Sequence, residues 1–294
     1  MSATPDFTLE NPAAAPGAPG AGAAATAFSR AAPLYDAEQQ ANPIARWTRA
    51  RSLAVLAGAW QPGTRVLELG CGTGAEAIQL AARGVEIVAT DAAPGMIALL
   101  AAKLAPGGPA APLAARITPL VLRAAEAGQL IERYGPAAFA GAYSSFGPLN
   151  CEPALAPVAA ALATLVRPGG HVILSLINRY CLWETAWYLR AGRPALAARR
   201  WSGRSRATVR AAWPETQIPI FYWTPGAVEQ AFRPHFQTVR RLGLPWLLPP
   251  QYLDGLVRRA PHLFRRLARL DRRLAGTWPC YTLGDHFLLE LVRQ

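Results

Sequence analysis

Residues 66–74 read VLELGCGTG, and this stretch decides the fold of the chain. The run Arg65–Leu69 predicts a short strand, three glycines at alternate positions predict a turn, and Ala75–Arg83 predicts a helix. Because glycine has no Cβ, such a turn brings backbone N–H groups close to a ligand at the N-terminus of the helix. The stretch therefore predicts a strand–turn–helix unit that binds a small molecule through its main chain.

Strands and helices alternate through most of the first 177 residues. This alternation predicts βαβ units and an α/β fold with a doubly wound, mostly parallel sheet. The predicted strands are Arg65–Leu69, Val85–Thr90, Ile117–Leu122, Phe139–Ser144 and His171–Ile177. The predicted helices are Arg49–Ala59, Ala75–Arg83, Pro94–Leu104 and Leu155–Val166.

After Asn178 the pattern is looser. Residues 256–274 place leucines on one helical face and arginines on the other, which predicts an amphipathic helix. The other predicted helices are Trp183–Leu189 and Pro225–Phe232, and the predicted strands are Thr208–Trp213, Gln217–Trp223, Phe236–Leu242 and His286–Val292.

The composition is that of a globular protein, since 52% of the 294 residues are hydrophobic and 16% are charged. The sequence has no run of about 18 uncharged apolar residues, which a membrane span requires, and no secretory signal pattern. Its four cysteines are far apart, which favours neither a disulfide framework nor a metal site and predicts a cytoplasmic protein. Residues 1–27 are rich in Ala, Pro and Gly and predict a disordered tail, followed by one domain over residues 28–294 with a core at 28–177.

The net charge of +12 is placed unevenly. Residues 176–294 carry nineteen arginines against seven acidic residues, whereas residues 1–175 are balanced. Such a field attracts anionic small molecules, lipid headgroups or nucleic acid. The alternative is that these arginines only lie on solvent-exposed faces of helices.

Asp91 ends the second predicted strand, 21 residues after Gly70. A carboxylate at the carboxyl end of the neighbouring parallel strand accepts both hydroxyls of a ribose in dinucleotide folds. The glycines also satisfy the dinucleotide pattern G-x-G-x-x-G/A, so they do not decide between ligands. Glu68 discriminates, because its charge repels a pyrophosphate and suits a ligand with an ammonium and a sulfonium.

With these motifs the sequence resembles the class I S-adenosylmethionine-dependent methyltransferases. Their first motif, E/D-x-G-x-G-x-G, is complete at residues 68–74. Residues 89–96, ATDAAPGM, are similar to the second motif, and residues 165–170, LVRPGG, are similar to the segment before the fifth strand. The resemblance covers about residues 35–177. It implies S-adenosylmethionine as cofactor and a Rossmann-like, seven-stranded sheet closed by an antiparallel strand.

The resemblance also implies roles for individual residues. Asp91 would bind the ribose hydroxyls, and Met96 would lie beside the adenine or pack in the core. The third motif departs from the family, since Ala125 stands where relatives often carry an Asp, and its backbone or Glu126 would substitute. Tyr35 and Arg49 would contact the carboxylate of the cofactor, although Arg49 could equally be a surface residue. The implied cofactor-binding set is Tyr35, Arg49, Glu68, Gly70, Cys71, Gly72, Gly74, Asp91, Ala92, Met96, Ala125, Glu126 and Ser144.

Segments 178–224 and 243–284 are predicted to form a lid, because both would emerge at the ligand-binding edge of the family's sheet. They hold seven of the nine tryptophans and most of the arginine excess. We expect a mostly apolar, partly aromatic pocket with basic walls for a small organic acid, a phenol or a lipid-like acceptor. The alternative is that the tryptophans form the lid's own core.

His286, preceded by Asp285 at the start of the closing strand, is the candidate general base. Its alternative is a structural histidine. His171 and His235 begin strands at the opposite edge and are expected to be inert, and Tyr143, Asn150, Asn178 and Glu184 are possible substrate contacts.

The sequence therefore predicts methyl transfer to an O, N or C atom of a small organic acceptor by in-line displacement. Nucleic acid is not an expected partner, since residues 144–150 lack the Asn/Asp-Pro-Pro-Tyr that holds an extruded base. Two alternatives stay open: an NAD-dependent oxidoreductase, and a membrane-surface or scaffold protein that uses the arginine-rich segment Arg258–Arg273.

Overall fold

The computed structural model describes residues 21–209 and 216–294. The α-helices are α1 (Ala21–Ala41), α2 (Pro43–Leu56), α3 (Ala75–Ala81), α4 (Pro94–Leu104), α5 (Leu130–Tyr134), α6 (Ala156–Leu165), α7 (Leu182–Arg190), α8 (Pro194–Ala197), α9 (Pro225–Phe232), α10 (Asp254–Arg259), α11 (Pro261–Leu274) and α12 (Cys280–Leu283). The strands are β1 (Arg65–Leu69), β2 (Glu86–Asp91), β3 (Ile117–Val121), β4 (Phe139–Ser144), β5 (Val166–Ile177), β6 (Arg204–Val209), β7 (Thr216–Phe221), β8 (Phe236–Leu244) and β9 (His286–Arg293).

Seven strands form one sheet in the order β3-β2-β1-β4-β5-β9-β8. Strands β1 to β5 are parallel, and β9 runs antiparallel to both of its neighbours. The predicted Rossmann-like α/β fold with an antiparallel closing strand is thereby confirmed. Because β9 is reversed, its first residue, His286, pairs with Ile177 at the end of β5.

Helices cover both faces of the sheet, so its central strands are apolar on both sides. Successive side chains of a strand point to opposite faces. Leu67 of β1 lies in the cluster that includes residues of α6 and α9, and Val66 lies in the cluster with residues of α3 and α4. Glu68 shares the face of Val66, and it is only 2% exposed.

Helix α1 corrects the boundary of the predicted disordered tail. The chain is helical from Ala21, whereas the composition predicts disorder up to residue 27. The alanines that suggested disorder are good helix formers, and Ala24, Ala27 and Ala31 pack in a cluster with Ile218 of β7. Residues 1–20 lie outside the described residues.

The two predicted lid segments consist of different elements that contact each other. Helices α7 and α8 and the hairpin β6–β7 follow β5, and α10 to α12 connect β8 to β9. Pro261 begins α11, so the single amphipathic helix predicted over 256–274 is two helices. The hairpin begins at Arg204 rather than Thr208, and residues 210–213 of the predicted strand lie outside the described residues.

Asn150 ties the hairpin to the sheet. Its side-chain amide donates hydrogen bonds to the carbonyls of Ile177 and Phe221 at 3.0 and 2.7 Å, and its Oδ1 accepts the N–H of Ile177 at 2.8 Å. These bonds give Asn150 a structural task in place of the predicted substrate contact. None of the helices within residues 21–209 and 216–294 combines the length and apolar character that crossing a bilayer requires.

Candidate active site

The glycine turn between β1 and α3 has the geometry that its sequence predicts. Gly70, Gly72 and Gly74 have φ values of 73°, 53° and 81°, which side chains rarely tolerate. A Cβ on Gly70 would lie 2.1 Å from Pro148 Cβ, and one on Gly74 would lie 2.3 Å from Leu100 Cδ1. The nearest heavy atom to a Cβ on Gly72 would be Tyr35 Cε1, at 3.9 Å. Gly70 and Gly74 therefore permit close packing, whereas a Cβ on Gly72 would make only an ordinary contact with Tyr35.

Asp91 lies across from this turn at the end of β2. Its Oδ2 accepts the N–H of Gly72 and its Oδ1 accepts the N–H of Ala93, both at 2.8 Å. Burial raises the pKa of Asp91, although these two hydrogen bonds oppose the rise. The carboxylate is thus held in one orientation, and each oxygen keeps a second lone pair for a ligand hydroxyl.

Glu68 is a buried carboxylate whose Oε2 has no hydrogen-bond partner among the described residues. Its backbone neighbour across the sheet is Tyr143 of β4. Burial, and then the charge of Glu76, raise the pKa of Glu68 well above its ordinary value. Tyr143 and the charge of Arg49 oppose this rise only in part. Because an ionised carboxylate is costly to bury without sufficient partners, the site favours a positively charged group beside Glu68.

Tyr35 and Arg49, which the sequence suggested as cofactor contacts, lie near the same turn. Burial raises the pKa of Tyr35 to about 12, and the charge of Arg49 opposes the rise. Arg49 Nε lies 2.8 Å from Glu76 Oε1, and its guanidinium lies 5.4 Å from the ring centroid of Phe146. Arg49 is therefore not the isolated surface arginine of its alternative interpretation.

A three-residue contact that the sequence did not suggest fastens α1 over the turn. Lys103 Nζ of α4 donates to Asp36 Oδ2 at 2.6 Å and to the carbonyl of Thr73 at 2.8 Å. The hydroxyl of Thr73 donates to Asp36 Oδ1 at 2.5 Å. Burial opposes the charge of Asp36, but the hydrogen bonds from Lys103 and Thr73 outweigh it and lower its pKa. We call Asp36, Thr73 and Lys103 the latch.

The side of the site assigned to adenine is apolar. Met96 is 2% exposed and clusters with Ala32 and Ala93, which is compatible with either of its predicted roles. Ala125 is half-buried after β3. Glu126 is exposed, and its carboxylate accepts the N–H of Arg123 at 3.4 Å.

The other predicted cofactor residues lie at the same sheet edge. The hydroxyl of Ser144 donates to the carbonyl of Leu69 at 2.8 Å. Cys71 is buried, and burial raises the pKa of its thiol well above the ordinary value, so it stays a neutral thiol. Ala92 follows Asp91 directly and is half-buried.

His286 is held by a buried carboxylate. Its Nδ1 lies 3.1 Å from Asp285 Oδ2, and Arg200 donates to Asp285 Oδ1 at 2.8 Å. Burial opposes the charge of Asp285, but Arg200 and His286 outweigh it and hold its pKa below the ordinary value. By contrast, His171 Nδ1 lies 2.8 Å from Glu290 at the opposite sheet edge.

A family model described as a methyltransferase domain matches residues 66–170, which include the glycine turn, Glu68 and Asp91. The match agrees with the resemblance of this segment to the class I S-adenosylmethionine-dependent methyltransferases. Of the two enzyme classes that the glycines allowed, the match favours the methyltransferases over the dinucleotide oxidoreductases.

Known methyltransferases resemble the chain in part or in fold. A malonyl-[acyl-carrier protein] O-methyltransferase of Serratia marcescens is 43% identical over 75 residues, which span 26% of this chain and 28% of the relative. A solved putative S-adenosylmethionine-dependent methyltransferase from Listeria monocytogenes is 14% identical with a TM-score of 0.55, over 84% of this chain and 97% of that one. One from Mesorhizobium loti is 17% identical with a TM-score of 0.53, over 84% and 98%. At these identities the solved structures show the shared fold.

The residues of this site fit S-adenosylmethionine. Glu68 Oε2, which has no hydrogen-bond partner among the described residues, suits its positive charge, and Asp91 presents acceptors for ribose hydroxyls. The apolar surface of Met96 and Ala93 suits a purine ring.

The two lid segments differ from the predicted pocket with basic walls. Its buried arginines, Arg199 and Arg200, are already paired with Glu184 and, for Arg200, with Asp285. Pairing is required because an unpaired buried charge is too costly. The arginines of the segment Arg258–Arg273 are exposed instead.

The lid tryptophans divide into two groups. Trp183, Trp223 and Trp246 are partly buried, whereas Trp187, Trp201 and Trp278 are exposed. Trp213 lies outside the described residues. The three exposed tryptophans therefore fit neither of the two interpretations, an aromatic pocket or a core of the lid.

Proposed function

We propose that the protein transfers a methyl group to a small organic acceptor that binds beneath the lid. S-adenosylmethionine supplies this group on a positively charged sulfur. The observation that carries the proposal is the buried Glu68, which lies in the strand that leads into the glycine turn and whose Oε2 has no hydrogen-bond partner among the described residues. This arrangement suits a cationic nucleoside, because the positive charge would stabilise the ionised form of Glu68, whereas a pyrophosphate would not.

In this proposal the chain contributes mainly by position. The glycine turn and Asp91 orient the cofactor, and the latch keeps α1 over the turn, where it restricts the access of water. Holding two reactants in line provides about 7–11 kcal/mol of the barrier reduction. Little covalent chemistry then falls to the protein.

On the acceptor side we assign His286 as the base. In this assignment Nδ1–H donates to Asp285, which leaves Nε2 as the proton acceptor. Arg200 holds the other oxygen of Asp285 and keeps that carboxylate ionised. Nε2 would take the proton that an acceptor hydroxyl or amine loses when it is methylated, which contributes about 10²–10⁴-fold.

Calorimetry tests the cofactor half of the proposal. We expect S-adenosylmethionine and S-adenosylhomocysteine to bind and the nicotinamide dinucleotide not to bind. Labelled methyl transfer to a panel of apolar phenols, amines and carboxylic acids, each with a blocked analogue, then identifies the acceptor class. Clean binding of the dinucleotide without binding of the homocysteine derivative would contradict the proposal. We also propose a cytoplasmic location, which the four free cysteines favour.

A further inference from the structure

Helix α7 turns its apolar side chains outward. Leu182, Trp187 and Leu189 are 49%, 37% and 56% exposed, whereas the acidic Glu184 is 1% exposed. An amphipathic helix on a globular core normally shows the reverse arrangement. The outward face of α7 is therefore an apolar surface that the described part of the chain does not cover.

The orientation of α7 is fixed by the partners of Glu184. Its Oε1 accepts from Arg199 Nε at 2.8 Å and from Arg200 Nε at 3.0 Å, and its Oε2 accepts the hydroxyl of Tyr252 at 2.7 Å. Burial opposes the charge, but Arg200 and Arg199 outweigh it and lower the pKa of Glu184. Rotating α7 to bury its leucines would leave these charges unpaired, which is strongly unfavourable.

Helix α11 extends the apolar surface. It contacts α7 through Trp183 and Phe264, whose ring centroids are 6.3 Å apart. On α11, Leu263 and Leu270 are 54% and 44% exposed, and Trp278, just beyond its end, is 77% exposed. We call the exposed apolar residues of α7 and α11, together with Trp278, the lid surface.

Positive charge flanks the lid surface. The segment Arg258–Arg273 contains seven arginines. Its one acid, Asp271, is buried and accepts the N–H groups of Trp246 and Leu247. The nearby Asp254 is also buried and accepts from Arg258 at 2.8 Å. The outer side of α11 therefore presents cations next to leucines, without an exposed acid of the same segment.

We infer that the lid surface binds the face of an anionic lipid bilayer. Exposed leucines and tryptophans suit the boundary between headgroups and acyl chains, and arginines suit the lipid phosphates. A nucleic acid would use the arginines but would leave the leucines and Trp187 exposed to water. The inference does not depend on the proposed methyl transfer.

Vesicle co-sedimentation of the full chain tests the inference. We expect binding to vesicles of phosphatidylcholine with phosphatidylglycerol, weak binding to phosphatidylcholine alone, and weakening with added salt. Replacing both Leu263→Asp and Leu270→Asp should lower the partition coefficient at least about tenfold. Replacing both Arg266→Gln and Arg273→Gln, on the same side of α11, should lower it about thirtyfold.

The matched control is the double variant Arg83→Gln and Arg116→Gln. These exposed arginines precede β2 and β3 at the opposite sheet edge, so the variant changes the net charge equally and should bind vesicles nearly as the unaltered protein does. Circular dichroism verifies that each variant is folded. Equal loss in the control, unchanged binding of both lid variants, or recognition of a purified acidic protein without any vesicle binding would overturn the inference.

Discussion

The backbone N–H of Gly72 donates to Asp91 Oδ2 at 2.8 Å and joins the glycine turn to the end of the neighbouring strand. The second oxygen of Asp91 accepts the N–H of Ala93 at 2.8 Å. The ligand-facing carboxylate and the ligand-facing turn therefore move as one unit, and a change at Asp91 affects both.

Asp91→Asn should weaken binding of S-adenosylhomocysteine about 10- to 100-fold, because an amide cannot accept from Gly72, Ala93 and both ribose hydroxyls. One backbone N–H also loses its acceptor, which should lower the free energy of unfolding by about 1–3 kcal/mol. Calorimetry and denaturant titration measure the two effects. Glu132→Gln, a change of the same charge at an exposed position of α5, is the control and should leave both quantities unchanged.

Binding of S-adenosylmethionine should release a proton from Glu68. Burial raises the pKa of this carboxyl well above its ordinary value and so favours the neutral form in the free protein. A cationic ligand favours the ionised form, so its affinity should increase as pH rises toward the raised pKa. Calorimetry in two buffers of different ionisation enthalpy measures the released proton.

Glu68→Gln should abolish this proton release and flatten the pH dependence of affinity. In the free protein the raised pKa means that the stability contributed by Glu68 is present at low pH and lost as pH rises through the folded-state pKa. The Gln variant should therefore unfold with less dependence on pH. If binding to the Gln variant released as many protons as binding to the unaltered protein, the positive charge of the ligand would not lie beside Glu68.

Gly74→Ala should destabilise the protein by about 2–4 kcal/mol, through its φ of 81° and the 2.3 Å approach of a Cβ to Leu100 Cδ1. Gly128→Ala is the matched substitution, because a Cβ there meets no atom of the described chain within 4 Å and the φ is not positive. Thermal unfolding of the two variants compares them directly. Similar stabilities would show that the turn accommodates a side chain.

Lys103→Met should open the latch, because it removes both hydrogen bonds that α4 donates to Asp36 and Thr73. We expect faster proteolysis within α1 and a roughly five- to tenfold weaker affinity for S-adenosylhomocysteine. Since the pKa of Asp36 is lowered, its contribution persists above the ordinary value and disappears only as pH falls through the folded-state pKa. The effect of the variant on affinity should therefore be the same at pH 6 and at pH 8.

His286→Ala should reduce turnover of a hydroxyl or amine acceptor by about 10²–10⁴-fold while leaving cofactor affinity unchanged. A carboxylate acceptor is already ionised and would show little loss, so the variant also reports on the acceptor class. His262→Ala on the exposed side of α11 is the control. Full activity of the His286 variant on a hydroxyl acceptor would leave this histidine a structural role.

The parts of the site that the sequence predicts are those that depend on residues close together in the chain. The turn at Gly70, Gly72 and Gly74 and the strand ends at Glu68 and Asp91 are defined by residues next to one another in the chain, and the sheet topology follows from their order. Helix α9, predicted as Pro225–Phe232, has those bounds because Thr224 caps it and proline begins it.

The features that the sequence did not predict depend on distant partners. Lys103 and Asp36 of the latch are 67 positions apart, and no local pattern links them. The outward direction of Trp187 on α7 depends on Glu184, which is buried because Arg199 and Arg200 reach it. Amphipathic spacing alone suggests the opposite orientation for α7.

Because Lys103 is the only lysine in the sequence, an amine-directed acylating reagent has a single lysine side chain to modify. That amine is engaged by Asp36 and Thr73 whenever α1 is docked. The time course of acylation measured on the peptide that contains Lys103 would therefore report how often α1 moves away from α4. Slower acylation in the presence of S-adenosylhomocysteine would mean that the ligand stabilises the docked position of the first helix.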